Sequence, residues 1–150
     1  MKRMIYTFAL SAFLIISANA NTNAQTDYLT DYMTLKDAFV KSDVAMAKKA
    51  ATQLTVSLAS AKIDNSALEA ATLISTSDNL AEQRTAFKIV TDQLISSLKA
   101  GANDQTVFVQ YCPMAFDNTG ASWLSLSQEI RNPYFGDMML KCGSVKETLQ

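Results

Sequence analysis

The sequence predicts a mainly α fold: an antiparallel helical bundle of three to four helices, with a small C-terminal β-hairpin/loop region and a short final helix. Two observations predict it. Apolar residues recur at spacings of three and four from Tyr28 to Leu98, the period of helices that bury one face. After Gly101 that period stops, and β-branched, aromatic and turn residues crowd together with both cysteines and both prolines.

The helices can be placed in order. Tyr28, Tyr32, Leu35 and Phe39 put one apolar face on a first helix from Asp27 to about Val40. Ser42 or Asp43 offers an N-cap to a second, whose stripe is Val44, Ala47, Ala51, Leu54, Leu58 and Ala61. A shorter third helix begins near Asp64-Asn65, capped by Asp64 or by a Ser66/Glu69 capping box, with Ala67, Ala70 or Ala71, and Ile74 inward. Asn79 with Glu82 resembles a second capping box. It opens the longest helix, which carries Phe87, Val90, Leu94 and Leu98 inward and stops at Gly101. Whether the last two segments are separate helices or one kinked rod stays open at this level.

Residues 106–111 (Thr-Val-Phe-Val-Gln-Tyr) read as a strand, Asp117-Asn118-Thr119-Gly120 as a turn, and Ala121 to Leu124 as a return strand. Asp137 to Lys141 reads as the short final helix. A lone hairpin is marginal in water, so Phe116, Trp123, Tyr134 and Phe135 are expected to fasten it to the bundle.

The first residues carry the pattern of a secretory signal peptide. Lys2 and Arg3 precede an apolar run from Met4 to Ile16, and Ala18-Asn19-Ala20 supplies small residues for cleavage between 20 and 25. The apolar run is shorter than the roughly 17 residues of a membrane-spanning helix. This divides the chain into a leader, residues 1–20, and one helical domain, 26–150, whose region 106–145 contains the cysteines. The expected location is the periplasm or the medium. Thirteen basic residues against 14 acidic ones, with no basic run, give no footprint for nucleic acid. No second long apolar run follows, so no stable membrane insertion is expected after cleavage.

The absence of histidine from the sequence excludes His-based triads and metallohydrolase sites. Cys112 and Cys142 are too far apart for a Cys-X-X-Cys redox pair. The protein is therefore expected not to be an enzyme. The sulfur residues suggest binding instead. Cys112 and Met114 stand at one end of the C-terminal region and Met138, Met139 and Cys142 at the other. Met138 and Met139, four and three residues before Cys142, would share its face on a helix. Two thiolates with one or two thioethers suit Cu(I), and less well zinc, which in structural sites takes four thiolate or imidazole ligands. The competing reading is an interaction module with a structural Cys112–Cys142 disulfide, the one intrachain pairing open to an exported chain with two cysteines. In that case no metal is bound. Methionines also serve as plain core fillers.

The segments YCPMA, GASWLS, EIRNPYFG and MLKCG, in this order, resemble an exported bacterial domain of unknown function. It is found alone and at the C-terminus of periplasmic adaptor (membrane-fusion) proteins of copper and silver efflux systems. The resemblance is dense from Tyr111 to Val145 and looser from Tyr28 to Leu98. It implies a helical domain tied to heavy-metal handling, with a metal-efflux component or metallochaperone as partner. By position, Cys112, Met114 and Cys142 would be ligands, joined by Met138 or Met139. Asn132, Pro133, Tyr134 and Gly136 would shape the loop presenting the second half. The adaptors' hairpin and barrel domains have no counterpart in this sequence, so the resemblance implies an accessory or chaperone-like protein.

Overall fold

The alanine- and leucine-rich first two thirds of the chain favour helix, and capping side chains decide where each helix starts. A computed structural model describes residues 20–101 and 103–150, with side chains from Asp27 onward. The leader, Ala20 apart, lies outside the described residues. Helix α1 spans Ala20–Val40, α2 Val44–Ser60, α3 Asn65–Thr76 and α4 Leu80–Ala100. Asp43 caps α2 by accepting from Met46 N at 2.8 Å, and Asp64 caps α3 by accepting from Ser66 N at 2.8 Å. Asn79 caps α4 through Ala81 N (2.9 Å) and Glu82 N (3.2 Å). The extended backbone at Ser77 and Asn79 separates α3 from α4, so these are two helices and not one kinked rod.

Each helix packs antiparallel on the next in sequence. The inward stripes are those of the sequence: Tyr32, Leu35, Phe39, Leu54, Leu58, Ile74, Phe87 and Leu94 are all fully buried. Small residues (Ala47, Ala51, Ala67 and Ala71) let the helix axes approach while the leucines fill the space between them. Tyr32 and Phe87 stack at 5.1 Å between ring centroids, and Phe39 leans on Phe87 at 4.9 Å.

The remainder builds a three-stranded antiparallel sheet from β1 (Val107–Cys112), β2 (Ala121–Ser125) and β3 (Ser144–Leu149), in the order β2-β1-β3. The hairpin of β1 and β2 pairs Val109 with Leu124 and Cys112 with Ala121. Strand β2 rests on α4. The short final helix is a single 3-10 turn, Gly136–Met138, and the chain leaves helical geometry at Met139 (φ −145°, ψ 54°). The helical reading of Asp137 to Lys141 is therefore shortened, and β3, unassigned in the sequence, follows it.

Tyr32 ties the layers together. Its hydroxyl lies 2.7 Å from Thr91 Oγ1 of α4 and accepts from Leu124 N of β2 at 3.1 Å. Burial raises the pKa of both Tyr32 and Tyr134, because the phenolate would lose its water. Their folded pKa values exceed the unfolded value of about 10, so the stabilisation is complete below that pH and is lost as pH rises beyond it. In an alkaline absorbance titration, Tyr32 and Tyr134 are expected to ionise only together with the loss of circular dichroism. Ionisation of every tyrosine before any loss of structure would contradict this.

Candidate metal centre

Cys112 ends β1 and is fully buried; Cys142 lies two residues before β3 and is partly exposed. The register places Tyr111 opposite Ser144. Continuing it by one residue sets Cys112 beside Gly143, within reach of Cys142. The two thiols are free and close enough for Cys112 to act on Cys142. The neighbouring Cys112 thiol first, and then desolvation, raises the pKa of the Cys142 thiol, while the backbone of Met114 lowers it.

The thioethers are placed differently. Met114 follows Cys112-Pro113 and is 47% exposed, whereas Met138 is 79% exposed on the 3-10 turn. Met139 is partly buried, and its carbonyl accepts from Cys142 N at 3.0 Å. No helix runs from Met138 to Cys142, so the shared helical face expected for Met138, Met139 and Cys142 does not form. Gly136 (φ +60°) begins this turn, Met139 (φ −145°, ψ 54°) breaks the helical backbone, and Gly143 (φ +139°) ends the segment. Among the described residues, no group of three or more Cys, Asp or Glu side chains is placed to hold a metal. The donor set available at the thiol pair is sulfur, two thiols with Met114 close by in sequence. This suits a low-coordinate soft cation better than a four-coordinate zinc.

Asn132 fixes the Cys142 side of the pair. It is fully buried and donates from Nδ2 to Cys142 O at 2.8 Å. Its backbone N donates to Leu140 O at 2.9 Å, and its Oδ1 accepts from Tyr134 N at 2.8 Å. Trp123, also fully buried, lies under Gly143: a Cβ there would come within 2.7 Å of its Cη2 and 2.9 Å of Tyr111 O. Trp123 Nε1 donates to Gln110 Oε1 at 2.7 Å, and Gln110 Nε2 donates to the carbonyls of Ser127 (2.9 Å) and Glu129 (3.1 Å). Tyr134 donates to Ser122 O at 2.6 Å.

Arg84 was not foreseen as part of this architecture. Its Nε donates to Pro133 O at 2.9 Å, and its Nη2 donates to Phe39 O (3.1 Å) and Ser42 Oγ (3.0 Å). It thus pins the 132–136 loop to the corner between α1 and α2. The sequence carried only a weak signal: Arg84 is one of three cations on α4, beside Lys88 and Lys99, and stands three residues before the inward Phe87. Arg131 is exposed, and the main partner of Glu129 is Lys141 at 2.8 Å. Such a surface pair adds little stability.

The family model for a protein of unknown function, DUF3347, matches residues 28–106. That is more than half of the 150 residues. The chain belongs to this family. No curated protein and no solved structure matches. The DUF3347 match covers α1–α4 from Tyr28 onward and stops one residue before β1. The resemblance expected to be densest over Tyr111 to Val145 is thus matched over the helices instead, and Cys112 and Cys142 lie beyond the matched residues. Among the described residues, no helix of this DUF3347 protein is long and apolar enough to cross a membrane.

Proposed function

We propose that this DUF3347 protein is an exported, non-catalytic soft-metal-binding protein that holds Cu(I) between Cys112 and Cys142, with Met114 as the adjoining thioether. The observation that carries the proposal is the contact of two free thiols contributed by segments 30 residues apart. Cu(I) accepts two soft ligands without needing the histidines that this chain lacks. The metal supplies no reaction here; it is cargo. The chain's own groups hold it, Cys112 from a strand end and Cys142 from a loop fixed by Asn132. Binding displaces the thiol protons, so apparent affinity rises with pH. The leader pattern and the efflux-adaptor context of the resemblance support an accessory or chaperone-like role in periplasmic heavy-metal handling, beside an efflux component or metallochaperone.

The same contact favours a second reading, in which the thiols are oxidised to a structural disulfide in the exported state. Closing a loop of about 30 residues stabilises a fold by about 3–4 kcal/mol in the chain-entropy model. The two readings separate in one titration. Reduced protein, titrated anaerobically with Cu(I) against a chromophoric Cu(I) chelator, is expected to take one ion per chain. The Cys112→Ser, Cys142→Ser double variant is expected to take none. Failure of reduced, folded protein to compete with the chelator would leave only the disulfide reading.

A further inference from the structure

A cleft of about 380 Å³ lies between the first turns of α4 and the two loops that follow β1 and β2. Its volume falls in the range of small-molecule sites, which are mostly apolar with a few fixed polar groups. Leu80, Ala81, Phe116, Tyr134 and Phe135 supply apolar walls, and Arg84 is the charged residue that lines it. The Arg84 donors described above all end on neutral acceptors, two carbonyls and a hydroxyl. None of the ion pairs among the described residues includes Arg84. Its charge is therefore held half-buried without a carboxylate to offset it, a costly arrangement that an anionic ligand would relieve.

The backbone at the cleft is unusual as well. Phe116, Asp117 and Asn118 are consecutive left-handed residues, at φ 51°, 54° and 65°. Asp and Asn adopt this region more readily, but for Phe116 it costs roughly 1–2 kcal/mol relative to a right-handed conformation, and strain of this kind concentrates at binding sites. The turn holds the Phe116 ring edge-on to Tyr134 at 5.2 Å while leaving it partly exposed as a cleft wall.

We propose that this cleft binds a small organic carboxylate with an apolar body, its carboxylate paired with Arg84 and its body between Phe116, Tyr134, Phe135 and Leu80. The site involves neither cysteine, so it stands or falls apart from the copper reading. The test is a titration of ¹⁵N-labelled protein with benzoate and, separately, with its neutral counterpart benzamide, followed by amide and Arg84 Nε–H resonances. Benzoate is expected to give saturable shifts at Ala81, Arg84, Thr85 and Phe116. Benzamide is expected to bind at least about tenfold more weakly, as loss of a charge-assisted hydrogen bond implies. Ala81 is an exposed helical position on the cleft wall, so Ala81→Phe is expected to fill the cleft and remove the shifts without altering distant resonances. Equal binding of benzoate and benzamide would overturn the proposal. So would the absence of saturable shifts at these residues, or benzoate shifts that persist in Ala81→Phe.

Discussion

Asn132→Ala is expected to lower stability by about 2–5 kcal/mol and to weaken Cu(I) binding about 10- to 100-fold. The stability loss comes from two groups left without a partner, Cys142 O and Tyr134 N, in a place where Asn132 itself is fully buried. Each orphaned buried group costs about 1–3 kcal/mol. The affinity loss comes from position. Asn132 touches the backbone of Cys142 and not its sulfur, and losing such an outer partner of a ligand typically costs a factor in that range. Urea unfolding measures the first effect and chelator competition on the folded fraction measures the second. Asn132→Asp keeps the acceptor for Tyr134 N but places a carboxylate against Cys142 O, so it should be no better tolerated than alanine. A stability change below about 1 kcal/mol for Asn132→Ala would show that the loop is held by other contacts.

Trp123→Ala is expected to have the larger effect, about 3–5 kcal/mol for an emptied aromatic site. Trp123 is among the largest fully buried side chains. It carries three connections at once: the bond to Gln110, the edge contact with Tyr134 at 6.2 Å, and the floor under Gly143. Against the roughly 5–15 kcal/mol of a whole domain this is a large share. For a chain of this size it corresponds to a fall in Tm of about 6–20 °C, readable by thermal circular dichroism. Trp123→Phe separates the parts. It keeps most of the ring volume but leaves Gln110 Oε1 unpaired, and is expected to cost about 1–3 kcal/mol.

The helical bundle was legible because its evidence is periodic. Tyr28 to Phe39, the alanine and leucine stripe of α2, and Phe87 to Leu98 each repeat at helical spacing, and Asp43, Asp64 and Asn79 cap helices through side-chain oxygens. The β1–β2 hairpin was legible from its residue types and its turn. Strand β3 was not. It is an edge strand whose sequence, Ser-Val-Lys-Glu-Thr-Leu, is mostly exposed and buries only Leu149, so it lacks the alternation that marks a half-buried strand.

The site was legible in part. Two cysteines in a sequence that reads as exported suggested one pairing, and the fold brings their thiols close together. The Met138–Cys142 helix face was a spacing argument, and the non-helical backbone at Met139 breaks the helix it needed. Gln110 and Arg84 went unnoticed, and Asn132 was expected only to shape its loop, for a shared reason: polar residues read as surface until the carbonyls they satisfy are seen. These carbonyls belong to irregular loops, whose backbone bonds no periodicity announces.

Copper is proposed to be held by the sulfur atoms of Cys112 and Cys142. Copper K-edge X-ray absorption of the anaerobically loaded protein tests it most directly. A Cu(I) edge and a first shell of two or three sulfur neighbours are expected, with the signal lost in the Cys112→Ser, Cys142→Ser variant. A first shell of nitrogen or oxygen, or a sulfur shell that survives in the double variant, would contradict it.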